Sequence, residues 1–224
     1  MTKIIPLKLA MSNAFVLCGA RSILIDCGGP RDLPALTRQL NRHNIHITDL
    51  ALLLITHVHF DHAGSAAAIQ QRAGCPLVVH RLEGDCLARG QSTLIIPVHA
   101  LGRLLMPFMG AGFAPATADI LIEERLDLAD YGVQAEVIFT PGHTPGSLSV
   151  ITSDGQALVG DLCGGGWPIG QFQPSRPRYH YWASSLEEVQ ASLERIFAFQ
   201  PSQIYVGHGG PLDGRKAREF FLAS

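Results

Sequence analysis

The stretch that decides the fold is LALLLITHVHFDH, residues 50–62. Residues 50–55 are all apolar, which is the pattern of a strand buried on both faces. His57, His59, Asp61 and His62 follow, so four potential metal ligands lie on the loop at the carboxyl end of that strand. Open α/β sheets place their binding sites at this end. A solvated turn can also carry an HxH pair, but the whole HxHxDH pattern after a buried strand predicts a metal site.

The spacing of these four side chains indicates two ions rather than one. His57 and His59 lie two positions apart and can converge on a single metal ion. We expect Asp61 and His62 to turn the other way, toward a second ion.

Three later segments each place one ligand-type residue among glycines at the end of a predicted strand. They are TPGHTPGS at 140–147, VGDL at 159–162 and VGHGG at 206–210, which contain His143, Asp161 and His208. Glycine lets the backbone approach a ligand closely. Each residue alone could be a turn aspartate or a capping or solvated histidine. Together, after strands that we expect to share one sheet, they predict further metal ligands.

Composition and charge limit the class of protein. The chain has 224 residues, 47% of them apolar and 16% charged, with a net charge of −2. These values fit one α/β domain over residues 1–224. Because no run of Lys and Arg is present, we expect no nucleic-acid partner, and no apolar stretch is clean enough to predict a membrane span. The five cysteines show no CxxC spacing, so we expect reduced thiols in a cytoplasmic protein.

Apolar periodicity predicts alternating strands and helices along most of the chain. Helices are expected after Asp32, over 65–72 and from Ser185 to 199, the last with a buried stripe that begins at Leu186. The predicted strands lie at 14–17, 22–26, 50–55, 77–79, 135–140, 147–152, 156–160 and 203–206.

Residues 87–120 interrupt this alternation and predict an insertion with one or two short helices. They are rich in Leu, Ile, Met, Phe, Pro and Gly and carry little charge. The most apolar part, 94–114, is expected to be a lid, a pocket wall or a homodimer contact, because so many apolar side chains are poorly tolerated on an open surface.

The motifs THVHFDH, PGHTPGS, GD and GHG, in this order, resemble the ligand motifs of the metallo-β-lactamase superfamily from residue 26 to 210. The resemblance implies an α/β fold, the four-layer αββα sandwich, with a dinuclear metal site at one edge. It also implies a position for each ligand: His57, His59 and His143 on the first metal, Asp61, His62 and His208 on the second, and Asp161 bridging both. Asp26 would support the site from outside the ligand shell, although a polar strand-end residue would give the same pattern.

These ligand types indicate the metals and the chemistry. Imidazoles and carboxylates without a thiolate suit two divalent ions, zinc first, with iron or manganese as alternatives. Two such ions about 3.5–4 Å apart lower the pKa of a bridging water enough to supply hydroxide at neutral pH. We expect Asp61 to be the catalytic residue that orients this hydroxide and takes its proton.

The residue at position 161 narrows the substrate class. In this respect the chain resembles the thioesterase, lactonase and phosphodiesterase branches of the superfamily, which have an aspartate at this position. Glyoxalase II is the nearest of these in its metal ligands. The familiar zinc β-lactamases have a cysteine at this position instead. We therefore expect a dinuclear hydrolase of a small thioester, lactone or ester. The alternatives are a mononuclear iron persulfide dioxygenase that uses His57, His143 and Asp161, and a phosphodiesterase or β-lactamase-like hydrolase.

The loop at 173–182 offers residues for binding a small-molecule substrate. Arg178, Tyr179 and Tyr181 lie there, and lactonase relatives use a tyrosine from a comparable loop. The pattern does not decide between Tyr179 and Tyr181. A packed aromatic loop whose arginines pair with surface carboxylates would have the same sequence.

Overall fold

The apolar run before the histidine motif forms an inner strand of a six-stranded sheet in our computed structural model, which describes residues 2–94, 96–106 and 110–223. In order across this sheet lie β1 Lys3–Lys8, β2 Asn13–Cys18, β3 Ser22–Ile25, β4 Leu50–Leu54, β5 Leu77–His80 and β6 Ile120–Ile122. Strands β3 to β6 are parallel neighbours, whereas β1 pairs with β2, and β2 with β3, in antiparallel fashion.

A second six-stranded sheet comes from the later part of the chain. Its strands are β7 Arg125–Asp127, β8 Ala135–Phe139, β9 Leu148–Thr152, β10 Gln156–Leu158, β13 Gln203–Tyr205 and β14 Leu212–Asp213. Their order across the sheet is β14-β13-β10-β9-β8-β7. A separate two-stranded hairpin, β11 Gly164–Trp167 and β12 Phe172–Arg178, leaves this sheet after β10.

The helices cover the outer faces of the two sheets or connect their strands. The helices are α1 Leu33–Arg42, α2 Phe60–Ala63, α3 Ala66–Ala73, α4 Gly84–Arg89, α5 Ala100–Leu105, α6 Leu186–Ala198 and α7 Gly214–Leu222. Helices α1 and α3 pack on the first sheet, and α6 and α7 pack on the second. Helix α6, with 13 residues, is the longest of the described helices. None of the described helices is long and apolar enough to cross a bilayer.

Alternate residues of the buried strands pack into different layers. Leu52 and Leu54 of β4 lie between the two sheets, whereas Leu53 packs in the cluster that contains Leu40 of α1 and Ile69 of α3. All three β4 leucines are fully buried, and each such side chain contributes roughly 1.5–3 kcal/mol of transfer free energy. A third apolar cluster lies between the second sheet and α6 and α7. The fold is thus a four-layer αββα sandwich, which confirms the predicted class.

The strand directions bring the ligand-bearing loops to one edge of the sandwich. Strands β3 and β4 are parallel. Strands β8, β10 and β13 share one direction, because β8 and β10 are both antiparallel to β9 and β13 is parallel to β10. The three later motifs therefore follow strands of one sheet, as expected, and the histidine motif comes from the other sheet.

Most predicted elements form, with corrections in detail. Leu186 is 51% exposed, so the prediction that the buried stripe of α6 begins there is wrong. It is the first residue of the helix, and the stripe starts one turn later at Val189. Strands β1, β6, β7, β11, β12 and β14 are not indicated by the apolar periodicity.

The predicted insertion includes helix α5, and backbone hydrogen bonds join it to residues 181–183. The backbone N–H of Val98 donates to the Tyr181 carbonyl, and that of Ala183 donates to the Ile96 carbonyl. Leu94 and Leu104 are 66% and 71% exposed. The parts of the 94–114 prediction that fall on residues 95 and 107–109 lie outside the described residues, and a dimer contact there stays a prediction.

Candidate metal centre

The histidine motif is held in place by its own backbone geometry. His59 is the residue before α2, and its carbonyl accepts the N–H groups of His62 and Ala63. This short helix carries Asp61 and His62, and the His62 ring lies 4.3 Å from the His57 ring, centre to centre. All four polar side chains of the motif are buried.

The carboxylate of Asp161 lies at the centre of the cluster. Its Oδ2 atom is 3.2 Å from His208 Nε2, 3.5 Å from His62 Nε2, 3.7 Å from His143 Nε2 and 3.8 Å from His57 Nε2. Two groups of potential ligand atoms form around it, each within 4.8 Å, namely His57, His59, His143 and Asp161, and then Asp61, His62 and His208. The structure thus brings together all seven residues that the sequence predicts.

The outward ring nitrogens of these histidines have protein acceptors, which directs Nε2 toward the centre. His62 Nδ1 lies 2.9 Å from Asp26 Oδ2 and His208 Nδ1 lies 2.9 Å from the Met11 carbonyl. His143 Nδ1 lies 2.9 Å from the Trp182 carbonyl. Such contacts fix the tautomer of a metal-binding imidazole. His59 differs, because its Nδ1 faces the cluster, 3.2 Å from His143 Nε2.

Asp26 orients two histidines, one directly and one through a hydroxyl. Thr56 Oγ1 donates to Asp26 Oδ2 at 2.8 Å, so it accepts from His57 Nδ1 at 3.0 Å. Asp26 also accepts the Nδ1–H of His62. The carboxylate is 1% exposed and lies outside the cluster, in the position expected of a supporting residue.

The atoms left without partners fit divalent metal ions. Among the described residues, five buried side-chain nitrogen or oxygen atoms have no hydrogen-bond partner, and four belong to this cluster. Leaving such atoms unpaired costs about 1–3 kcal/mol each, more when charged. The four atoms are His57 Nε2, His59 Nε2, His62 Nε2 and Asp161 Oδ1. Because His59 presents Nδ1 to the cluster, metal ions there would pair the other three atoms. Imidazole and carboxylate donors of this kind hold divalent cations.

The comparisons with known proteins agree with this centre. A family model of the metallo-beta-lactamase superfamily matches residues 7–208. The chain belongs to the metallo-beta-lactamase superfamily. It is 33% identical to the probable metallo-hydrolase YqgX of Bacillus subtilis over 170 residues, 75% of this chain and 72% of that one. It is also 32% identical to a probable metallo-hydrolase of Methanocaldococcus jannaschii over 150 residues, 67% of this chain but only 66% of that relative.

Solved structures of the superfamily have the same fold. The chain superposes on the BLEG-1 B3 metallo-beta-lactamase with a TM-score of 0.70 and 26% identity, covering 98% of this chain and 97% of that one. A metallo-beta-lactamase of Cronobacter sakazakii with a HARLDQ motif gives a TM-score of 0.65 at 23% identity, over 92% and 77% of the two chains. At that identity the second match shows the fold alone.

Five histidines of this metallo-beta-lactamase centre form two sets, one with lowered and one with raised pKa values. Burial lowers the pKa values of His57, His59 and His143 below the usual value of 6.5, with neighbouring imidazoles adding to the effect at His57. These rings are therefore neutral near pH 7, which is the state that binds metal.

The histidines beside the carboxylates behave in the opposite way. Burial alone would lower the pKa values of His62 and His208, but Asp161 and Asp61 outweigh it and raise both. Burial would likewise raise the pKa of Asp161, yet His208, His62 and His180 hold it well below 3.8. The carboxylate side of the cluster thus attracts positive charge, whether a proton or a metal ion.

One glycine is required at the centre because the backbone approaches the ligands closely. A Cβ atom at Gly207 would lie 2.1 Å from Asp161 Oδ1 and 2.6 Å from His62 Cε1. Any side chain there would displace the cluster, which explains a glycine directly before His208.

A cavity of about 170 Å³ opens from the cluster. A space of this size holds a benzene-sized group. Its polar wall includes Asp61, Asp161 and His208, and its apolar wall includes Met11 and Ile169. The carboxylates of the cluster therefore border a cavity that is large enough for part of a small molecule.

Two of the three candidate substrate-binding residues line this cavity, and the third does not. Arg178 and Tyr181 line it, and the guanidinium carbon of Arg178 lies 3.5 Å from the centre of the Tyr181 ring. Tyr179 points elsewhere, because its hydroxyl donates to Gln190 Oε1 and its ring packs on Phe221. Of the two tyrosines, only Tyr181 is placed to contact a molecule in the cavity.

The sequence does not indicate Glu83, and it indicates His180 only as a polar residue of the 173–182 loop. Glu83 is fully buried, and its carboxylate accepts the N–H groups of Val58 and Gly146 in the two histidine loops. His180, in the 173–182 loop, has its Nε2 atom 3.2 Å from Asp161 Oδ2. Neither lies in a ligand-like motif, and the only signal was the presence of a histidine in a loop already expected near the site.

Proposed function

We propose that this protein is a metal-dependent hydrolase that holds two divalent ions and cleaves a small thioester, lactone or ester. The observation that carries the proposal is the position of Asp161 Oδ2, within 4 Å of imidazole nitrogens from both ligand groups. One carboxylate between two complete groups is the arrangement of a two-metal site. The two probable metallo-hydrolases named above, to which this chain is similar, support the reaction class.

Two divalent ions at this position would supply hydroxide at neutral pH and polarise the carbonyl under attack. Zinc suits the donor set first, and iron and manganese fit the same imidazoles and carboxylates. His57, His59, His143 and Asp161 would hold one ion, and Asp61, His62, His208 and Asp161 would hold the other.

The chain itself supplies a proton acceptor and a cavity with an apolar wall. The Asp61 carboxylate lines the cavity, and its Oδ2 atom is 3.5 Å from His208 Nε2. From there Asp61 can orient the nucleophile and take its proton. Trp182 and Ile169 line the cavity with apolar surface, which would favour an acyl group beside the carbonyl under attack.

The aspartate at 161 and the apolar wall favour thioesters, lactones and esters over phosphodiesters. A phosphodiester carries a negative charge next to the scissile bond, and the described wall offers Arg178 as its only arginine. The persulfide dioxygenase alternative needs one iron ion and gives no role to the group of Asp61, His62 and His208.

The test is a panel of small thioesters, lactones, esters and phosphodiesters, assayed with protein whose metal content has been measured. We expect turnover of a thioester or lactone by protein with two equivalents of metal, and loss of turnover in His143→Ala. Protein with two equivalents that turns over none of the thioesters, lactones or esters contradicts the proposal. Oxygen uptake by an iron-loaded sample given a persulfide would favour the dioxygenase instead.

A further inference from the structure

His180 is an imidazole of the cluster that the seven expected ligands do not include. Its Nε2 atom lies 3.2 Å from Asp161 Oδ2, as close as that of His208 and closer than the other three imidazoles measured to this atom. Asp161, His180 and His208 form a third buried group of potential ligand atoms, all within 4.8 Å of one another. The side chain of His180 is 9% exposed.

These separations are those of atoms bound to one metal ion. Zinc and similar ions bind nitrogen and oxygen at about 2.0–2.2 Å, so two ligands of one ion lie roughly 3.0–3.5 Å apart at angles between octahedral and tetrahedral. The distance of 3.2 Å from His180 to Asp161 falls within that range, as does the distance from His208 to Asp161.

Hydrogen bonding does not explain both ring nitrogens of His180. Its Nδ1 lies 3.4 Å from the Trp182 carbonyl, which also faces His143 Nδ1, and its Nε2 faces the Asp161 carboxylate. A neutral imidazole carries one N–H and can satisfy one of these two acceptors. A cation between Nε2 and Asp161 resolves the conflict, because the nitrogen lone pair and the carboxylate oxygen both bind it.

Residues that precede and follow His180 in the sequence are fixed in the wall of the cavity by hydrogen bonds. Arg178 donates to the carbonyls of Pro168 and Gly166, and the Trp182 indole N–H donates to the Gly102 carbonyl at 3.2 Å. His180 lies between these anchors and lines the same cavity. It is therefore positioned between the metal cluster and the space for a substrate.

We propose that His180 is an additional ligand of the metal ion held by Asp161 and His208. A substrate atom would then reach this ion by displacing His180 or by adding to its ligands. The inference rests on the two-metal centre of the proposed function.

The test is a titration of metal-free protein with Co²⁺, followed by calorimetry and visible absorption. For the unaltered protein we expect two equivalents. His180→Ala should bind the second equivalent about 10–100-fold more weakly, the range found when groups that support a metal are removed, and leave the first unchanged. The absorption of the second Co²⁺ should change as well, because its coordination number falls.

Two further variants keep the result interpretable. His43→Ala removes an exposed histidine and should bind like the unaltered protein. His180→Gln keeps the bulk of the side chain in case the alanine variant does not fold, and should also weaken the second equivalent. Unchanged affinity for both equivalents, or equal weakening of both, overturns the inference. If the unaltered protein binds one equivalent only, the two-metal proposal itself fails.

Discussion

Glu83 Oε1 accepts a hydrogen bond from the backbone N–H of Gly146 at 3.1 Å, across 63 residues of chain. The other carboxylate oxygen accepts the N–H of Val58 at 2.7 Å and the hydroxyl of Thr93. A Cβ at position 146 would lie 2.4 Å from Glu83 Cγ, so the contact also requires a glycine. One buried carboxylate thus joins the loop of His57 and His59 to the loop of His143.

We expect Glu83→Gln to loosen this connection. An amide has one oxygen, so at least one of the buried donors loses its acceptor, at a cost of about 1–3 kcal/mol of unfolding free energy. Metal affinity should fall about 10–100-fold, as for other groups that support metal ligands. Urea unfolding and metal titration measure the two effects. Glu124→Gln, at an exposed position, is the control, and equal behaviour of both variants would argue against a role for Glu83.

Asp26→Asn tests the support of His57 and His62. Asp26 has a φ of 57°, and asparagine tolerates this left-handed conformation nearly as well as aspartate, so the change mainly removes charge. An amide oxygen in place of Oδ2 keeps the contacts with Thr56 Oγ1 and His62, but its NH2 group then faces the Thr56 N–H, which bonds to Oδ1 at 2.8 Å. With that donor unpaired and the charge beside His62 removed, we expect metal affinity about 10–100-fold lower. Unaltered affinity in a folded variant would leave Asp26 as a polar strand-end residue only.

The seven expected ligands could be found from the sequence because each lies in a local pattern. A buried strand followed by ligand-type residues or by glycine is visible in a single stretch, and strand direction then determines which loops meet. Leu52 and Leu54 illustrate the same point for the fold, since a strand buried on both faces is apolar throughout.

The remainder depends on contacts between distant segments. Glu83 contacts Val58 and Gly146, which lie 25 and 63 residues away in the sequence and follow strands of different sheets. His180 lies at the centre because it directly follows the β11–β12 hairpin, and the sequence of that hairpin shows no alternation of apolar and polar residues. Strand β1 was hidden for a different reason, because it is an edge strand that contains Pro6 and has exposed lysines at both ends.

Tyr181→Phe should separate substrate binding from stability. The Tyr181 hydroxyl is buried and has no hydrogen-bond partner among the described residues, so its removal should leave the unfolding free energy unchanged or raise it by up to about 1–3 kcal/mol. If this hydroxyl contacts substrate, kcat/KM should fall. Tyr179→Phe is the matched control, because that hydroxyl bonds to Gln190 away from the cavity. Equal kcat/KM values for the two variants would remove Tyr181 from the binding site.

Removal of metal should destabilise the fold. Ions present at about 1,000 times their dissociation constant stabilise a protein by roughly 4 kcal/mol, and for a domain of this size each kcal/mol shifts Tm by about 2–4 °C. We therefore expect chelation to lower Tm by about 8–16 °C, and added Zn²⁺ to restore it. Differential scanning calorimetry measures the change. The same Tm in chelator and in excess Zn²⁺ would be incompatible with metal binding at this buried cluster.

Asp61→Asn distinguishes a ligand from a ligand that also accepts a proton. If Asp61 only holds a metal ion, a variant that retains both ions should turn over normally, because the amide oxygen can still bind. If it also takes a proton, the fully loaded variant should have a kcat about 10²–10⁴-fold lower, a barrier higher by roughly 3–5 kcal/mol. KM should change little, since the lost interaction belongs to the transition state. Steady-state kinetics with measured metal content decides, with the exposed Asp85→Asn as the control. A fully loaded Asp61→Asn protein with the kcat of the unaltered enzyme would show that another group accepts the proton.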